Sequence, residues 1–140
     1  MSEPQAPKRA RFTRAQRIVR TGDFGLTFRD GSRARGGLML VVARRNGLEH
    51  SRLGLSVGRV IWKQAVRRNR IKRIFREAFR LEQHELPVGF DFVLVPGAKK
   101  LEPELAPSRA ELLKLGRKAA RRFDEKRAQA SPPDAPTPAP

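Results

Sequence analysis

Ala65-Val66-Arg67-Arg68-Asn69-Arg70-Ile71-Lys72-Arg73-Ile74-Phe75-Arg76-Glu77-Ala78-Phe79-Arg80 is at once a helix that can be buried and a ladder of cations that cannot. At 3.6 residues per turn, Ile71, Ile74, Phe75, Ala78, Phe79 and Leu81 fall within about 160° of arc, a core-facing stripe. Asn69, Lys72, Arg73, Arg76 and Arg80 fall within about 100° on the other side. A merely solvated helix face mixes signs, because acid–base pairs four residues apart then support it. Here only Glu77 and Glu82 interrupt the basic series, so the face repels itself unless something polyanionic covers it. A nucleic-acid backbone is the partner such a face fits.

The whole chain repeats that message. Its 140 residues carry 31 Lys and Arg against 14 Asp and Glu, a net charge of +17 with a pI near 11.7. The length suits one domain. The charge surplus is the footprint of a nucleic-acid binder. An anionic membrane surface would instead want a free amphipathic helix, whereas the apolar stripe here is committed to a core. The absence of cysteine excludes disulfides and thiolate zinc sites. No stretch reaches membrane-span length and no signal-peptide apolar region opens the chain, so a cytoplasmic protein is expected.

Outward from the basic helix, read over residues 63–83, the remaining elements can be placed. Residues 1–11 are polar, Pro-containing and basic at their close, and residues 127–140 form a Pro/Ala-rich tail; both are expected to be disordered. The folded domain is residues 12–126. A first helix is expected over 23–29, with Thr21 or Asp23 as N-cap and Gly31 as terminator. Residues 38–43 are a continuous apolar strand, and residues 52–57 alternate at period two. Asn46-Gly47 between them suggests antiparallel neighbours. Residues 90–95 form a third strand, broken by Pro96-Gly97. A last helix is expected to open at Ser108, where Ser108-Arg109-Ala110-Glu111 fits a capping box. The order α-β-β-α-β-α describes a small α+β sandwich.

Arg68-Asn69-Arg70-Ile71-Lys72-Arg73-x-x-Arg76, with Ala65 upstream, resembles the RNR signature of the bacterial ribonuclease P protein subunit. The surroundings agree. Arg52-Leu53-Gly54-Leu55-Ser56-Val57 resembles the strand before the motif, Asp23-Phe24-x-x-x-Phe28-Arg29-x-Gly31 the first helix, and Asp91-Phe92-Val93-Leu94-Val95 the third long strand.

The resemblance implies a protein partner of a large catalytic RNA, the holoenzyme removing the 5′ leader from precursor tRNA. It implies a left-handed β-α-β crossover, against the usual hand. It also implies one protein per RNA, Mg²⁺ held mainly by RNA phosphates, and neither a DNA nor a membrane partner. The RNR residues Arg68, Asn69, Arg70, Lys72, Arg73 and Arg76 would face the RNA subunit, with Lys63 and Arg80 as additional contacts. Phe24 and Phe28 on the first helix, and Val41 on the first strand, would line the leader cleft. Several roles stay open at this level. Asn69 fits a helix cap or an RNA contact, its place in the motif favouring contact. Arg68 fits RNA or a partner within the protein, and Phe24 fits base stacking or core packing. Trp62 fits a helix-start staple or an RNA contact.

Catalysis by the protein itself finds no support in the residues. The two histidines, His50 and His84, lie among ordinary surface carboxylates, without the acid–base or metal-holding sets that hydrolysis needs. The rival reading is a non-catalytic ribosomal-type RNA-binding protein, which shares the charge and size but not the motif in its strand context. A DNA-binding basic helix is weaker still, for want of a heptad zipper or helix-turn-helix spacing.

Overall fold

The basic helix forms as its periodicity dictates. In the computed structural model, which describes residues 12–18 and 21–130, it is α2 (Ala65–Glu82), with Ile71, Phe75, Ala78 and Phe79 buried. Ahead of it come α1 (Thr21–Asp30), β1 (Ser32–Arg35), β2 (Met39–Arg45) and β3 (Arg52–Leu55); behind it come β4 (Phe90–Pro96) and α3 (Leu105–Ala130). The sheet order is β1-β2-β4-β3. β2 is antiparallel to β1 and β4, whereas β3 runs parallel to β4 with α2 as the crossover between them. The expected α+β order is present with one strand more.

That added strand, β1, has only Ala34 buried among its four residues, so no apolar alternation announces it. It folds back onto β2 through Gly36-Gly37, where Gly36 N–H donates to Met39 O at 2.9 Å. The expected hairpin between residues 38–43 and 52–57 does not form. β2 and β3 do run in opposite directions, but β4 lies between them. β4 is buried along almost its whole length and takes a central place, while the short β3, with Arg52 and Gly54, suits an edge. The Asn46-Gly47 connection is tied down instead by Asn46 Nδ2, which donates to His50 O and to an Asp91 carboxylate oxygen.

The faces of the sheet follow from strand alternation. Met39, Val41, Ala43, Leu53, Phe92 and Leu94 meet Ile71, Phe75, Phe79 and Leu112 under the α2/α3 layer. On the opposite face α1 contacts β2 and β4, where Val42 and Val93 are buried. Gly31 ends α1 as expected, and only glycine fits there: a Cβ would lie 2.4 Å from Thr27 O and 2.9 Å from Ala43 O. Neither Thr21 nor Asp23 precedes α1 as a cap; both belong to its first turn, where the Asp23 carboxylate suits the helix dipole.

α3 departs from expectation at both ends. It starts at Leu105, with Pro107 tolerated in the first turn, and Ser108 is a buried helical residue whose N–H bonds Glu104 O. Glu111 closes no capping box. One of its carboxylate oxygens accepts the Leu38 and Met39 N–H groups at 2.7 and 2.9 Å, clamping the β1–β2 hairpin to α3. At the far end the helix runs on through Arg127-Ala128-Gln129-Ala130, good helix formers, and so passes the expected boundary at residue 126. The disorder expected of residues 1–11 and 131–140 lies outside the described residues.

Candidate nucleic-acid interface

With one stripe of α2 committed to the core, the motif side chains are distributed around the rest of the helix. Arg70, Lys72, Arg73 and Arg76 have no acidic partner among the described residues. Asn69, Arg70 and Arg73 are exposed, and line an open depression against the Glu102-Pro103-Glu104 loop. Asn69 is the fifth residue of α2, so the capping alternative falls away; Gln64 occupies the N-cap. Arg68 turns inward, its Nη1 donating to the carbonyls of Trp62 at 2.8 Å and Lys63 at 2.6 Å. It therefore braces the loop that enters α2. Lys63 itself is exposed.

Arg80 is engaged too, its guanidinium forked onto Glu77 at 2.6 and 2.9 Å. That hydrogen bond raises the Arg80 pKa and holds the Glu77 carboxyl below the ordinary carboxylate range. Trp62 is a packing residue. Its Nε1 donates to Leu101 O at 2.8 Å, its ring contacts the core, and the Arg67 guanidinium lies 4.7 Å over it while pairing with Glu102.

Lys72 and Arg76 face a different space. They line a groove of about 230 Å³ at the β3 edge together with Phe24 of α1, Gly54, Phe12 and Arg17. A chain segment not anticipated as part of the site builds one wall: Arg17 bridges Leu53 in parallel fashion, and Ile18 N–H donates to Leu53 O at 3.0 Å. Phe12 packs edge-on against Phe79, with the Arg17 guanidinium 5.1 Å over its ring. The one sequence signal for this wall is the large apolar residues Phe12 and Ile18-Val19 in a lead-in otherwise polar apart from Ala15. Gly54 is the floor: a Cβ there would come within 2.7 Å of the Phe24 ring. Burial, then the neighbouring cations Arg17 and Arg73, draw the Arg76 pKa below the ordinary guanidinium value. Three cations thus converge on a half-apolar groove that contains no carboxylate.

The aromatic assignments separate here. Phe24 is half-buried and lines the groove, whereas Phe28 stands 5.4 Å from it with Arg33 at 5.9 Å over its ring, outside the lining. Val41 does not belong to the site. It is fully buried on the α2/α3 face, so no surface of it is available to a ligand. Its neighbours Leu40 and Val42 are the β2 residues whose side chains point the other way.

α1 is locked to this edge by a buried ion pair. Arg52 on β3 donates to both oxygens of Asp91 on β4, Nε at 2.8 Å and Nη2 at 2.6 Å, and its Nη2 also reaches Asp23 of α1 at 3.4 Å. Asp91 hydrogen bonding is the main cause of the raised Arg52 pKa.

A cationic helix face beside a groove that pairs phenyl rings with guanidinium and ammonium groups defines an RNA-binding α+β protein. Comparison with known proteins narrows this. The family model described as Ribonuclease P matches residues 12–120, and the chain belongs to that family. It is 44% identical over 93 residues to the ribonuclease P protein component of Thermotoga maritima, covering 66% of this chain and 78% of that protein. It is 46% identical over 84 residues to that of Haemophilus influenzae, covering 60% and 70% respectively. Among solved structures, the Thermotoga maritima ribonuclease P protein superposes with a TM-score of 0.65 at 36% identity, over 73% of this chain and 96% of that one. A Staphylococcus aureus ribonuclease P protein, at 23% identity and a TM-score of 0.55 over 81% of this chain and 96% of that one, shares the fold. The role that follows is that of a ribonuclease P protein component, an RNA-binding protein of tRNA processing that works with an RNA subunit.

Proposed function

We propose that the protein holds the catalytic RNA subunit against the exposed side of α2 and the single-stranded 5′ leader of precursor tRNA in the Phe24 groove. One observation carries this reading. Lys72 and Arg76 of the motif line the same groove as the Phe24 ring, so a strand with phosphates and unstacked bases meets both of its chemistries in one place. Asn69, Arg70 and Arg73, on the adjoining face, are left for the RNA subunit.

Phosphodiester hydrolysis in this reading belongs to the RNA, with one protein per RNA, in the bacterial cytoplasm. Among the described residues, no group of three or more His, Asp or Glu side chains converges as a metal site would require. Mg²⁺ in this reading sits on RNA and substrate phosphates, and the protein's part is to screen phosphate repulsion and fix the leader. His50 is engaged with Ala15 O at 2.8 Å. Neither histidine has a carboxylate partner among the described residues. No described helix is long and apolar enough to cross a membrane.

Purified protein added to a bacterial ribonuclease P RNA at low Mg²⁺ should stimulate cleavage of precursor tRNA at the mature 5′ end, and should cleave nothing alone. Absence of stimulation, or RNA-free cleavage at that site abolished by mutation of this chain, would overturn the reading.

Phe24→Ala tests the groove directly. Removing a stacking surface should weaken precursor tRNA binding to the holoenzyme by about 1–3 kcal/mol. Mature tRNA, which has no leader, should bind as before. A core role for Phe24 predicts instead a loss of about 3–5 kcal/mol in folding stability and equal weakening of both ligands. Two affinities and one thermal melt decide between them.

A further inference from the structure

A second basic surface lies on α3, at the sheet edge opposite the groove. Between Glu111 and Asp124 the solvent side of α3 carries Lys114, Arg117, Lys118, Arg121 and Arg122 with no acid among them. At 100° per residue these five fall within about 140° of arc. Lys114 and Lys118, Arg117 and Arg121, and Lys118 and Arg122 are like-charge pairs four residues apart, each mildly unfavourable to the helix. The carboxylate one turn before Lys114, that of Glu111, is occupied by the Leu38 and Met39 N–H groups. Arg117 leans on Glu85, and Arg122 Nη1 donates to Arg33 O at 2.7 Å. Lys114, Lys118 and Arg121 have no acidic partner among the described residues. Like α2, this is a face that wants an anion.

Shape narrows the anion. Lys114 and Lys118 line a groove of about 430 Å³ between α3 and the β1–β2 hairpin, with Arg35 on the hairpin side and the Glu111 clamp setting the distance between its walls. Unlike the Phe24 groove, it has no aromatic ring among its lining residues. Unstacked bases therefore find no platform there, whereas the regularly spaced phosphates of a helix need none. Successive cations at Lys114, Lys118 and Arg122 rise about 6 Å along the axis and turn about 40° around it at each step, a gently winding rail along a duplex backbone. The groove borders β1 and the leader groove borders β3, outer strands some 14 Å apart at the usual strand spacing.

The geometry points to a second RNA-binding surface on this protein: Lys114, Lys118 and Arg121 of α3, with Arg35 of β1, grip the phosphate backbone of a double-helical segment of the RNA subunit. The inference rests on the reading that the chain binds that RNA. With it, the protein is a wedge held from two sides, through α2 at one edge of the sheet and α3 at the other.

The test is Lys114→Ala/Lys118→Ala/Arg121→Ala, three changes at the surface of α3. Affinity for ribonuclease P RNA should drop roughly tenfold or more at moderate salt. The slope of log affinity against log salt should shrink by about 2–3 units, close to 0.9 for each duplex phosphate no longer neutralised. At saturating protein, holoenzyme affinity for precursor tRNA should be unchanged, and the thermal melt unchanged or raised as like-charge repulsion is relieved. An unchanged affinity and slope would overturn the inference and leave α3 a solvated face. Weakened binding of precursor and mature tRNA alike, with RNA-subunit affinity intact, would overturn it in favour of the tRNA body. Failure of the wild type to bind the RNA subunit would remove the underlying reading instead. The chain contains no cysteine, so Arg121→Cys can carry a single tethered hydroxyl-radical source. Cuts confined to both strands of one paired segment of the RNA subunit are expected, and diffuse or absent cutting would overturn the assignment.

Discussion

Arg52→Ala should cost about 3–5 kcal/mol of folding stability, the loss typical of breaking a buried ion pair from one side. The Asp91 side chain is 1% exposed and the Arg52 side chain 15%. Removing the guanidinium takes away both of its bonds and leaves a buried carboxylate with only the Asn46 amide. For a domain of this size that is a fall in melting temperature of about 10–20 °C. The asymmetry of buried pairs supplies the control. In Arg52→Met/Asp91→Asn no charge is left behind, and Asn46 still has an oxygen to donate to, so much of the lost stability should return. A single variant within about 1 kcal/mol of wild type would show that water reaches Asp91 and that the pair behaves as a surface one. The consequence for function is local. Arg52 also holds Asp23 of α1, so the double variant, though folded, should position Phe24 less firmly and bind precursor tRNA more weakly than wild type.

The ion pair lies beyond the reach of the sequence for a topological reason. Arg52 and Asp91 are 39 residues apart and meet only because β3 and β4 pair in parallel. Alternation within residues 52–57 shows a strand but not its neighbour. α2 is legible throughout, because its apolar residues repeat at helical spacing and its cations occupy the complementary arc; four of the six expected stripe residues are fully buried. The phase of β2 is not legible. Val41 and Val42 are both buried, one under α2 and α3 and the other under α1, and a strand covered on both faces carries no alternation to say which side chain faces which layer. Hence nothing in the sequence sets Val41 apart from its neighbours. The same limit hides the wall built by Phe12, Arg17 and Ile18, which exists only through a bridge to Leu53. Ser108-Arg109-Ala110-Glu111 misleads for a different reason. Its acid has a stronger use, two backbone N–H groups of the β1–β2 hairpin, and the helix begins a turn earlier.

Arg70→Ala/Arg73→Ala/Arg76→Ala should nearly abolish holoenzyme assembly at low Mg²⁺ while leaving the fold intact. These three side chains have no acidic partner among the described residues, and burial, then the neighbouring cations Arg17 and Arg73, already disfavour the charge of Arg76. Removing them therefore breaks no ion pair within the described residues and relieves repulsion, so the melt should stay or rise. Toward RNA the expected change is the reverse. Each phosphate left without its arginine removes roughly 0.7–0.9 from the salt slope. The slope should therefore fall by about 1.4–1.8 for the RNA subunit, which faces Arg70 and Arg73, and by roughly 0.7–0.9 for precursor tRNA, whose leader faces Arg76. If protein cations and Mg²⁺ screen the same phosphates, as proposed above, raising Mg²⁺ should restore much of the activity. An equal defect at all Mg²⁺ concentrations would mean that the arginines act as specific hydrogen-bond donors rather than as screening charge. Arg68→Ala provides the contrast within the motif. Its guanidinium holds the Trp62 and Lys63 carbonyls, so its loss should lower the melting temperature and leave the salt slope nearly unchanged. A motif that reads as one run of cations in the sequence would then divide, by experiment as by geometry, into arginines that face RNA and one that holds the helix entrance in place.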